Sequence, residues 1–485
     1  MDITVVGAGP TGLVLACGLL GAGLQVRVVD GADGPAVTSR ALGLQPRGAE
    51  VLDRLGALGD LPERSIGIDR IALHVNGKPL GALKVGQVTK LVKRRGLMIS
   101  QTEVEGQLRE RLAELGGAVE WGTSLVDAHQ DARGVRLTTA DGRESRTDWL
   151  VGCDGAHSVV RKASGIGFPG APLVERFLLA DVVADLPLER DVVAVWLSGE
   201  DMLAAFPLPG GVWRLMAPAP AGFRDDGDIA AVMAGLLRDR AALPDVVVAS
   251  TAWTSSFRFH RRLADTYCRG RVLLAGDAAH IHSPFGGQGM NTGLGDAENL
   301  AWKLALVASG HAEAALLDTY EAERRPIAEG VLSSTSGMTR LIVGESATAR
   351  FLRDHVLVPM MNRGFVQKAI WEKSSQLKVT YRGGPLGGGH RFGRGPRPGD
   401  RVPDRQCARA DGTGTRLHAE LGSRWVLLGG ADHALVARKR LGEERVTVLP
   451  TDGETELIRP DGHLAWRGHG GPDALDSWLT GILGT

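Results

Sequence analysis

The segment from Gly276 to Ala305 joins a carboxylate, a glycine-rich loop and the start of a helix. We predict a buried strand over Val272 to Ala275, which places Asp277 at its carboxyl end. The loop from Pro284 to Gly289 is too rich in glycine to cover its own backbone, and a helix from about Asn291 turns its free N–H groups toward the same place. Such a site suits a phosphate, a ribityl chain or a ring that becomes anionic on reduction. The candidate contacts are Asp277 and the backbones of Pro284, Gly287, Gly289, Met290 and Asn291.

The amino terminus carries a second chemical signal. Ile3 to Val6 is typical of a buried strand, and the glycine turn Gly7 to Gly12 leads directly into an apolar helix. Asp30 ends the next strand, 18 residues after Gly12, where a dinucleotide fold places a ribose-binding carboxylate. The carboxylate favours an adenosine ribose without a 2′-phosphate. The predicted contacts are Gly7, Gly9, Thr11, Gly12 and Asp30.

Composition excludes several other classes of function. The 485 residues suffice for two or three domains, and 56 basic residues balance 56 acidic ones, so nothing favours nucleic acid or an anionic membrane. No apolar run reaches the roughly 18 residues of a membrane span, and we expect a cytoplasmic protein. The four cysteines have no metal-ligand spacing, and His280 and His282 stand without further ligands, so no metal is expected.

The pattern of predicted strands and helices changes along the chain. Residues 1–176 alternate strand and helix patterns, which indicates a parallel sheet covered by helices. Residues 177–256 are rich in strand patterns and predict an inserted antiparallel sheet. Residues 257–382 return to the first domain and continue as a helical segment. Residues 383–399 form a Gly/Pro-rich linker before a small α/β domain over 400–485. The predicted fold class is α/β, with a discontinuous Rossmann-like domain.

Three motifs resemble those of the FAD-dependent aromatic hydroxylases of the p-hydroxybenzoate hydroxylase type. GAGPTG at 7–12, CDGAHSVVR at 153–161 and GDAAHIHSPFGGQGMNTG at 276–293 occur in the order of that family and at roughly its spacing. The resemblance covers about residues 1–380. The tail resembles the thioredoxin-like domain of the phenol and polyketide hydroxylase branch, although it lacks a CxxC pair.

The resemblance implies roles for further residues. Asp154 would border both the FAD and the path of NADPH, and Arg161 would support that region. Arg40 would lie near the flavin pyrophosphate, Gln101 near the ribityl chain, and Leu125 among the flavin contacts. Without the other motifs, Asp154 could instead belong to an Asp-Gly turn that caps the next helix. Arg40 alone would better be explained as a solvated loop charge, and Gln101 would equally fit a polar helix cap. Many relatives carry Glu at the adenosine carboxylate, where this chain has the shorter Asp30.

The resemblance also implies the reaction. NADPH or NADH would reduce FAD, O2 would add to give a flavin C4a-hydroperoxide, and the distal oxygen would hydroxylate an electron-rich ring. The backbones of Pro284 and Gly287 would position the flavin. No side-chain base that would activate the phenol is assigned. Arg214 and His260 are no more than candidates for it.

The β-rich insert should form the roof of the substrate pocket. Few charges interrupt its strands, so we expect a large aromatic substrate such as a polycyclic phenol or polyketide. Large residues of this kind belong more often to a structural core than to a ligand contact. The candidate substrate contacts are Trp196, Phe206, Trp213, Met216 and, from the glycine-rich loop, Phe285.

Other functions stay open. Baeyer–Villiger oxygenation of a polyketide could use the same scaffold, and the chain could instead be a non-catalytic flavin sensor. A flavin-dependent halogenase and a dehydrogenase are disfavoured, because neither WxWxIP nor a second GxGxxG unit is present. The subunit number is open, including a homo-oligomer. We expect the tail to serve packing or dimer contact, so its deletion should spare flavin binding.

Overall fold

The computed structural model describes most of the chain. The described residues are 1–38, 41–75, 77–198, 201–224, 226–281, 287–343, 347–352, 355–356, 360, 363–389, 395–451, 453–468 and 470–484. The predicted site residues Arg40, Pro284 and Phe285 lie outside them. No helix within these ranges combines the length and apolar character needed to cross a bilayer.

The first part of the chain contains both strands and helices, but they alternate less strictly than its pattern predicts, because two runs of strands, over residues 66–100 and 119–152, contain no helix among their described residues. Its strands are β1 (Ile3–Val6), β2 (Val26–Val29), β3 (Leu42–Leu44), β4 (Ile66–Gly67), β5 (Arg70–Val75), β6 (Lys78–Lys84), β7 (Leu97–Ser100), β8 (Val119–Glu120), β9 (Leu125–Asp131), β10 (Gly134–Thr139), β11 (Glu144–Thr147) and β12 (Trp149–Gly152). Its helices are α1 (Pro10–Gly21), α2 (Pro46–Arg54), α3 (Leu61–Arg64), α4 (Gln101–Glu114) and α5 (Val159–Ala163). Pro10 suits the first turn of α1, where no N–H partner is needed, and the apolar residues behind it are buried.

The middle of the chain forms an antiparallel sheet with a helix on one face. Its elements are β13 (Gly170–Ala184), β14 (Val192–Ser198), β15 (Asp201–Pro207), β16 (Val212–Pro218), α6 (Ile229–Asp239) and β17 (Val248–Leu263). The strand order is β17-β13-β16-β15-β14-β5-β6, and the short strand His280–Ile281 adds an eighth strand beside β17. The β5–β6 hairpin of the first part therefore joins this sheet. The expected boundary at 176/177 therefore shifts. The substrate sheet takes residues 170–263 and also 70–84, a long-range pairing that no local pattern reveals.

The third part of the chain completes the cofactor sheet. Its elements are β18 (Cys268–Arg269), β19 (Val272–Leu274), β20 (His280–Ile281), α7 (Gly289–Ala308), α8 (Asp318–Val343), α9 (Ala347–Leu352) and α10 (Gly364–Ser374). The order β18-β19-β12-β1-β2-β8 is parallel from β19 to β8. The helix α7 packs closely on α1, where a Cβ built on Gly18 would lie 2.8 Å from the Ala301 side chain. The predicted α/β fold class is confirmed.

The tail forms a small sheet with helices of its own. Its elements are β21 (Gly388–Gly389), β22 (Gln406–Ala408), β23 (Gly414–Arg416), β24 (Trp425–Leu428), α11 (Ala431–Leu441), β25 (Val446–Leu449), β26 (Thr455–Ile458), β27 (Leu464–Gly468) and α12 (Pro472–Leu483). The strand order is β21-β27-β26-β24-β25. Because β21 pairs with β27, part of the segment expected to be a linker belongs to the tail sheet.

Candidate active site

A cavity of about 830 Å³ lies between the cofactor sheet and the substrate sheet. The strands β1, β12 and β19 are neighbours in one parallel sheet, so the segments that follow them meet at one edge. These segments are the glycine turn, the Asp-Gly turn and the Asp277 segment, which are the three motifs of the sequence. The predicted residues that line this cavity are Gly9, Thr11, Gln101, Phe206, Met216, Asp277, Gly287, Gly289 and Met290.

Glycine stands at three positions of the first turn, and the physical reason differs from one position to the next. Gly7 has φ +104°, and a Cβ there would lie 2.4 Å from the Cys153 carbonyl oxygen. A Cβ on Gly12 would lie 2.0 Å from the Gly7 carbonyl oxygen. Gly9, in contrast, has φ −73°, and a Cβ there would meet no atom of the described residues within 4 Å. The protein itself does not require glycine at position 9, so the open space at the start of α1 fits a closely approaching diphosphate.

Asp30, which directly follows β2, holds the glycine turn through hydrogen bonds. Its Oδ2 accepts the N–H of Ala8 at 2.7 Å, and its Oδ1 accepts that of Ala32 at 2.9 Å. A carboxylate oxygen can accept more than one hydrogen bond, so a ribose hydroxyl can still bind here. The shorter Asp side chain therefore serves the turn and leaves room for the expected contact.

Asp154 presents an unsatisfied acceptor in the second motif. Its Oδ2 accepts the N–H groups of Val159 at 2.7 Å and Val160 at 3.1 Å, while its buried Oδ1 has no partner among the described residues. A buried oxygen without a donor is costly, so a hydroxyl of a bound cofactor would stabilise it. Arg161 donates to the carbonyl oxygens of Ala156 and Ala278, both at 2.9 Å, and joins this motif to the Asp277 segment.

Asp277 lies in the short 3-10 turn Gly276–Ala278 and makes no hydrogen bond that the structure records. Its carboxylate is enclosed by protein atoms but open to the cavity, and this enclosure raises its pKa against the opposing effect of His280. Below it, Asp296 Oδ2 accepts from the Gly276 N–H at 3.2 Å and lies 2.6 Å from His280 Nε2. Through Asp296, His280 therefore supports the turn that carries Asp277.

The Asn291 side chain ties the glycine-rich loop to α2. Its Nδ2 donates to the carbonyl oxygens of Gly287 at 2.9 Å and Gly43 at 3.1 Å, and its Oδ1 accepts the Gln45 N–H at 2.8 Å. Asn291 does not itself line the cavity, whereas Gly287, Gly289 and Met290 do. The helix α7 begins at Gly289, two residues before the predicted start, and its first residues Gly289 and Met290 line the cavity.

Several predicted residues lie away from the cavity. Gly7 and Gly12 shape the turn, and Leu125 is 7% exposed in the core. Trp196 and Trp213 pack with Met233 and Leu237 of α6 on the opposite face of the substrate sheet, which corrects their assignment to the pocket. Alternation along a strand explains the result for Trp213, because it lies three residues before the cavity residue Met216 and so faces the other side.

Sequence reasoning missed part of the cavity wall. Ile71 and Leu83 come from the β5–β6 hairpin, and Trp371 comes from α10 with its Nε1 donating to the Gln87 carbonyl at 2.9 Å. Gln45, the residue just before α2, also lines the cavity. A strand hairpin between Arg70 and Lys84 was a detectable local signal, but its pairing with the substrate sheet was not.

Comparisons with known proteins agree with this geometry. Residues 1–335 match the family model of the FAD binding domain, and residues 395–485 match that of the aromatic-ring hydroxylase C-terminal domain. The chain is 37% identical to a 6-methylpretetramide 4-monooxygenase of Streptomyces rimosus, over 96% of this chain and 90% of the relative. It is 34% identical to a rifampicin monooxygenase of Streptomyces venezuelae, over 96% and 95% respectively.

Solved structures show the same architecture. The OxyS anhydrotetracycline hydroxylase of Streptomyces rimosus is 32% identical with a TM-score of 0.80, covering 100% of this chain and 99% of that one. Aklavinone-11 hydroxylase, solved with FAD and aklavinone, is 27% identical with a TM-score of 0.81 at the same coverage. The chain belongs to the family of FAD-dependent aromatic hydroxylases. It is a flavin-dependent monooxygenase, and its cofactor is FAD with NAD(P)H and O2 as co-substrates.

The Asp277→Ala variant tests the cavity carboxylate. Because Asp277 bonds no described side chain, its loss should leave the fold intact while removing a hydrogen-bond acceptor for the FAD ribityl chain. We expect FAD to bind about 10-fold more weakly, the equivalent of about 1.4 kcal/mol. Fluorescence titration of the apoprotein measures this, with circular dichroism as the check of folding. Unchanged FAD affinity would remove Asp277 from the site.

Proposed function

We propose that this enzyme hydroxylates a large, uncharged polycyclic aromatic substrate of the polyketide type. The observation that carries the proposal is one cavity of about 830 Å³ with two unlike walls. One wall consists of backbone-rich cofactor segments, and the other is the apolar face of the substrate sheet. A cavity of this size, lined mainly by apolar groups, suits a multi-ring ligand better than a small acid.

The charge balance of the apolar wall supports an uncharged substrate, since of the two described arginines that line the cavity Arg258 is exposed and Arg214 is paired. Arg214 is a buried cation in this wall, and its Nε and Nη2 bond Asp181 Oδ1 and Oδ2 at 2.6 and 2.7 Å. Its charge is therefore balanced within the protein, and a substrate carboxylate would meet Asp181 as well. The named substrates of the relatives, 6-methylpretetramide and anhydrotetracycline, support a polycyclic polyketide. The apolar residues of the wall are Ile71, Leu83, Leu179, Phe206, Met216 and Phe257.

The motif residues in and beside the cavity fit the work of holding FAD. When bound, FAD would supply the redox chemistry that passes electrons from NAD(P)H to O2. The space beside Gly9 would take the diphosphate, and Asp30, Asp154 and Asp277 would accept hydroxyl groups along the cofactor. The N–H groups of the Gly287–Met290 segment would face the ring edge where reduction builds negative charge. The apolar wall keeps water from the reacting atoms.

A turnover assay with contrasting substrates tests this proposal. The FAD-loaded enzyme is mixed with NADPH and either a tetracyclic phenolic polyketide or p-hydroxybenzoate, while O2 uptake and product mass are followed. We expect faster O2 uptake and a product with one added ring hydroxyl for the polycyclic compound only. Preference for the small acid would contradict the proposal. Oxygen inserted beside a ketone would instead identify Baeyer–Villiger chemistry.

The Phe206→Ala variant tests the substrate wall. Loss of an aromatic ring that faces the cavity should raise KM for the polycyclic substrate about 10-fold, since such contacts contribute about 1–2 kcal/mol. FAD content should stay normal. Trp196→Phe is the matched control, because Trp196 stacks on His74 on the other face of the sheet. Equal changes in KM for both variants would show that the effect is general.

A cytoplasmic location is also part of the proposal. Cys17, Cys153, Cys268 and Cys407 are free thiols, which fits a reducing compartment. The need for NAD(P)H as electron donor fits the same compartment. Cell fractionation tests the location, and recovery of the enzyme from the culture medium would contradict it.

A further inference from the structure

A cluster of charged side chains is buried where the tail meets the cofactor unit. Glu323 of α8 accepts from Arg459 of the tail at 2.7 Å and from Lys303 of α7 at 2.8 Å. Arg459 also bonds Asp461, which it holds beside α7. These groups are almost completely inaccessible to solvent, and none of them lines the cavity. Neither flavin binding nor substrate binding accounts for them directly.

One chain of hydrogen bonds leads from this cluster to the glycine-rich loop. Arg47, in the first turn of α2, donates from Nη2 to the Asp461 backbone oxygen at 2.8 Å and to Glu298 Oε2 at 3.1 Å. Two residues earlier, the Gln45 N–H donates to Asn291, whose amide in turn holds the Gly287 carbonyl. The tail is thus connected to the cavity rim through α2.

The approach of α2 to α7 leaves little freedom in this connection. A Cβ built on Gly48 would lie 2.2 Å from Asn291 Oδ1, so the two helices are in direct contact at the rim. A shift of α2 would therefore displace Asn291 and the loop it holds. At the other end of α2, Arg54 Nε donates to Glu298 at 2.6 Å, and a Cβ on Gly422 of the tail would lie 2.2 Å from the Arg54 oxygen.

A second route runs through α8. Glu323 faces the tail, and its neighbour Arg324 donates from Nε to Asp296 Oδ1 at 2.8 Å. Asp296 accepts the Gly276 N–H and so supports the turn that carries Asp277. Both cofactor segments of the cavity are therefore connected to the same interface, by hydrogen bonds that are buried or partly buried.

Asp461 takes part in both routes, because its backbone oxygen accepts from Arg47 and its side chain bonds Arg459, which in turn bonds Glu323. Its Oδ2 accepts from Trp302 Nε1 at 3.4 Å and from Asn299 Nδ2 at 3.3 Å, in addition to Arg459. Burial opposes its ionisation, but Arg459 and His463 hold its pKa well below the ordinary value. Buried charges of this kind are tolerated only while every partner is present, so removal of one disturbs the others.

We propose that Asp461 is a positioning residue for the flavin, which makes the tail part of the oxygenase site. It holds α2 and α7 in the arrangement that keeps the Gly287–Met290 loop and the Asp277 turn against the cofactor. The sequence led us to expect that deletion of residues 400–485 would spare flavin binding. The buried interface argues for the opposite result.

The Asp461→Asn variant tests the proposal in the full-length holoenzyme. It removes the charge but keeps the backbone oxygen that Arg47 uses. We expect a shifted visible absorption spectrum of the bound flavin, a changed flavin midpoint potential and FAD release at least about fivefold faster. None of these readouts requires the substrate. A negative result would therefore overturn the role of Asp461 without bearing on the proposed substrate class.

Asp476→Asn is the matched control. Asp476 bonds Arg440 at 2.7 Å within the tail, away from the α2 and α7 interface, so its loss should leave the flavin unchanged. A folded Asp461→Asn enzyme with the wild-type spectrum, potential and FAD release would overturn the proposal, as would equal changes in both variants. If Asp461→Asn does not fold, Arg47→Lys decides, because it keeps the charge but shortens the reach to the Asp461 oxygen. The same flavin changes are expected there, and their absence would overturn the proposal.

Discussion

The Gly9→Val variant should purify as a folded but colourless protein. The valine side chain would enter the open space at the start of α1, where a Cβ meets no atom of the described part of the chain within 4 Å. It would therefore exclude the FAD diphosphate without disturbing the protein core. We expect FAD affinity to fall at least about 100-fold, which corresponds to about 2.8 kcal/mol. Visible absorbance and fluorescence titration of the apoprotein with FAD measure the loss.

Gly330→Val provides the matched control for this variant. A Cβ at Gly330 likewise meets nothing within 4 Å, but the residue lies on the exposed side of α8, far along the chain from the glycine turn. Its FAD content should equal that of the wild type. A yellow Gly9→Val protein with normal FAD affinity would show that the space beside Gly9 is not the diphosphate site.

The Asp296→Asn variant should lose much of its stability. Asp296 is inaccessible to solvent and joins His280, Arg324 and the Gly276 N–H under the Asp277 turn. The substitution leaves the Arg324 guanidinium buried without its charge partner, and such losses cost about 3–5 kcal/mol. Chemical denaturation of the FAD-free protein measures the change. Asp141→Asn, which breaks an exposed pair with Arg143, should leave the unfolding midpoint unchanged.

The pH dependence of stability gives a further check on Asp296. Burial alone would raise its pKa, but His280 and Arg324 hold it below the ordinary value. The stability from this group is therefore complete above the unfolded pKa of about 3.9 and is lost as the pH falls through the lower folded pKa. The stability difference between wild type and Asp296→Asn should shrink below about pH 4. A difference that persists unchanged at lower pH would contradict the ionised pair.

The cofactor half of the site could be predicted because its signals are local. The glycine turn and the segment around Asp277 each follow a short buried strand, and neighbouring parallel strands place their carboxyl ends together. The sequence could not distinguish the reasons for the glycines. Only the structure shows that Gly7 and Gly12 avoid backbone clashes while Gly9 leaves space for a ligand.

The substrate half was harder to predict because it depends on pairing between distant segments. The β5–β6 hairpin joins β14 across more than a hundred residues, and Trp371 reaches the cavity from α10. The sequence predicted both Trp213 and Met216 as pocket residues. Because side chains alternate along a strand, the two lie on opposite faces of the substrate sheet, and only Met216 faces the cavity. The link from Asp461 to Arg47 spans 414 residues and has no sequence motif at all.

A crystal structure of the holoenzyme with FAD would show whether the three motifs bind one flavin. We expect the diphosphate against Gly9 and the start of α1. We also expect the flavin ring between the Gly287–Met290 segment and the apolar wall that contains Phe206 and Met216. A flavin ring bound elsewhere, out of contact with the Gly287–Met290 backbone and with the apolar wall, would show that these segments do not form the flavin site.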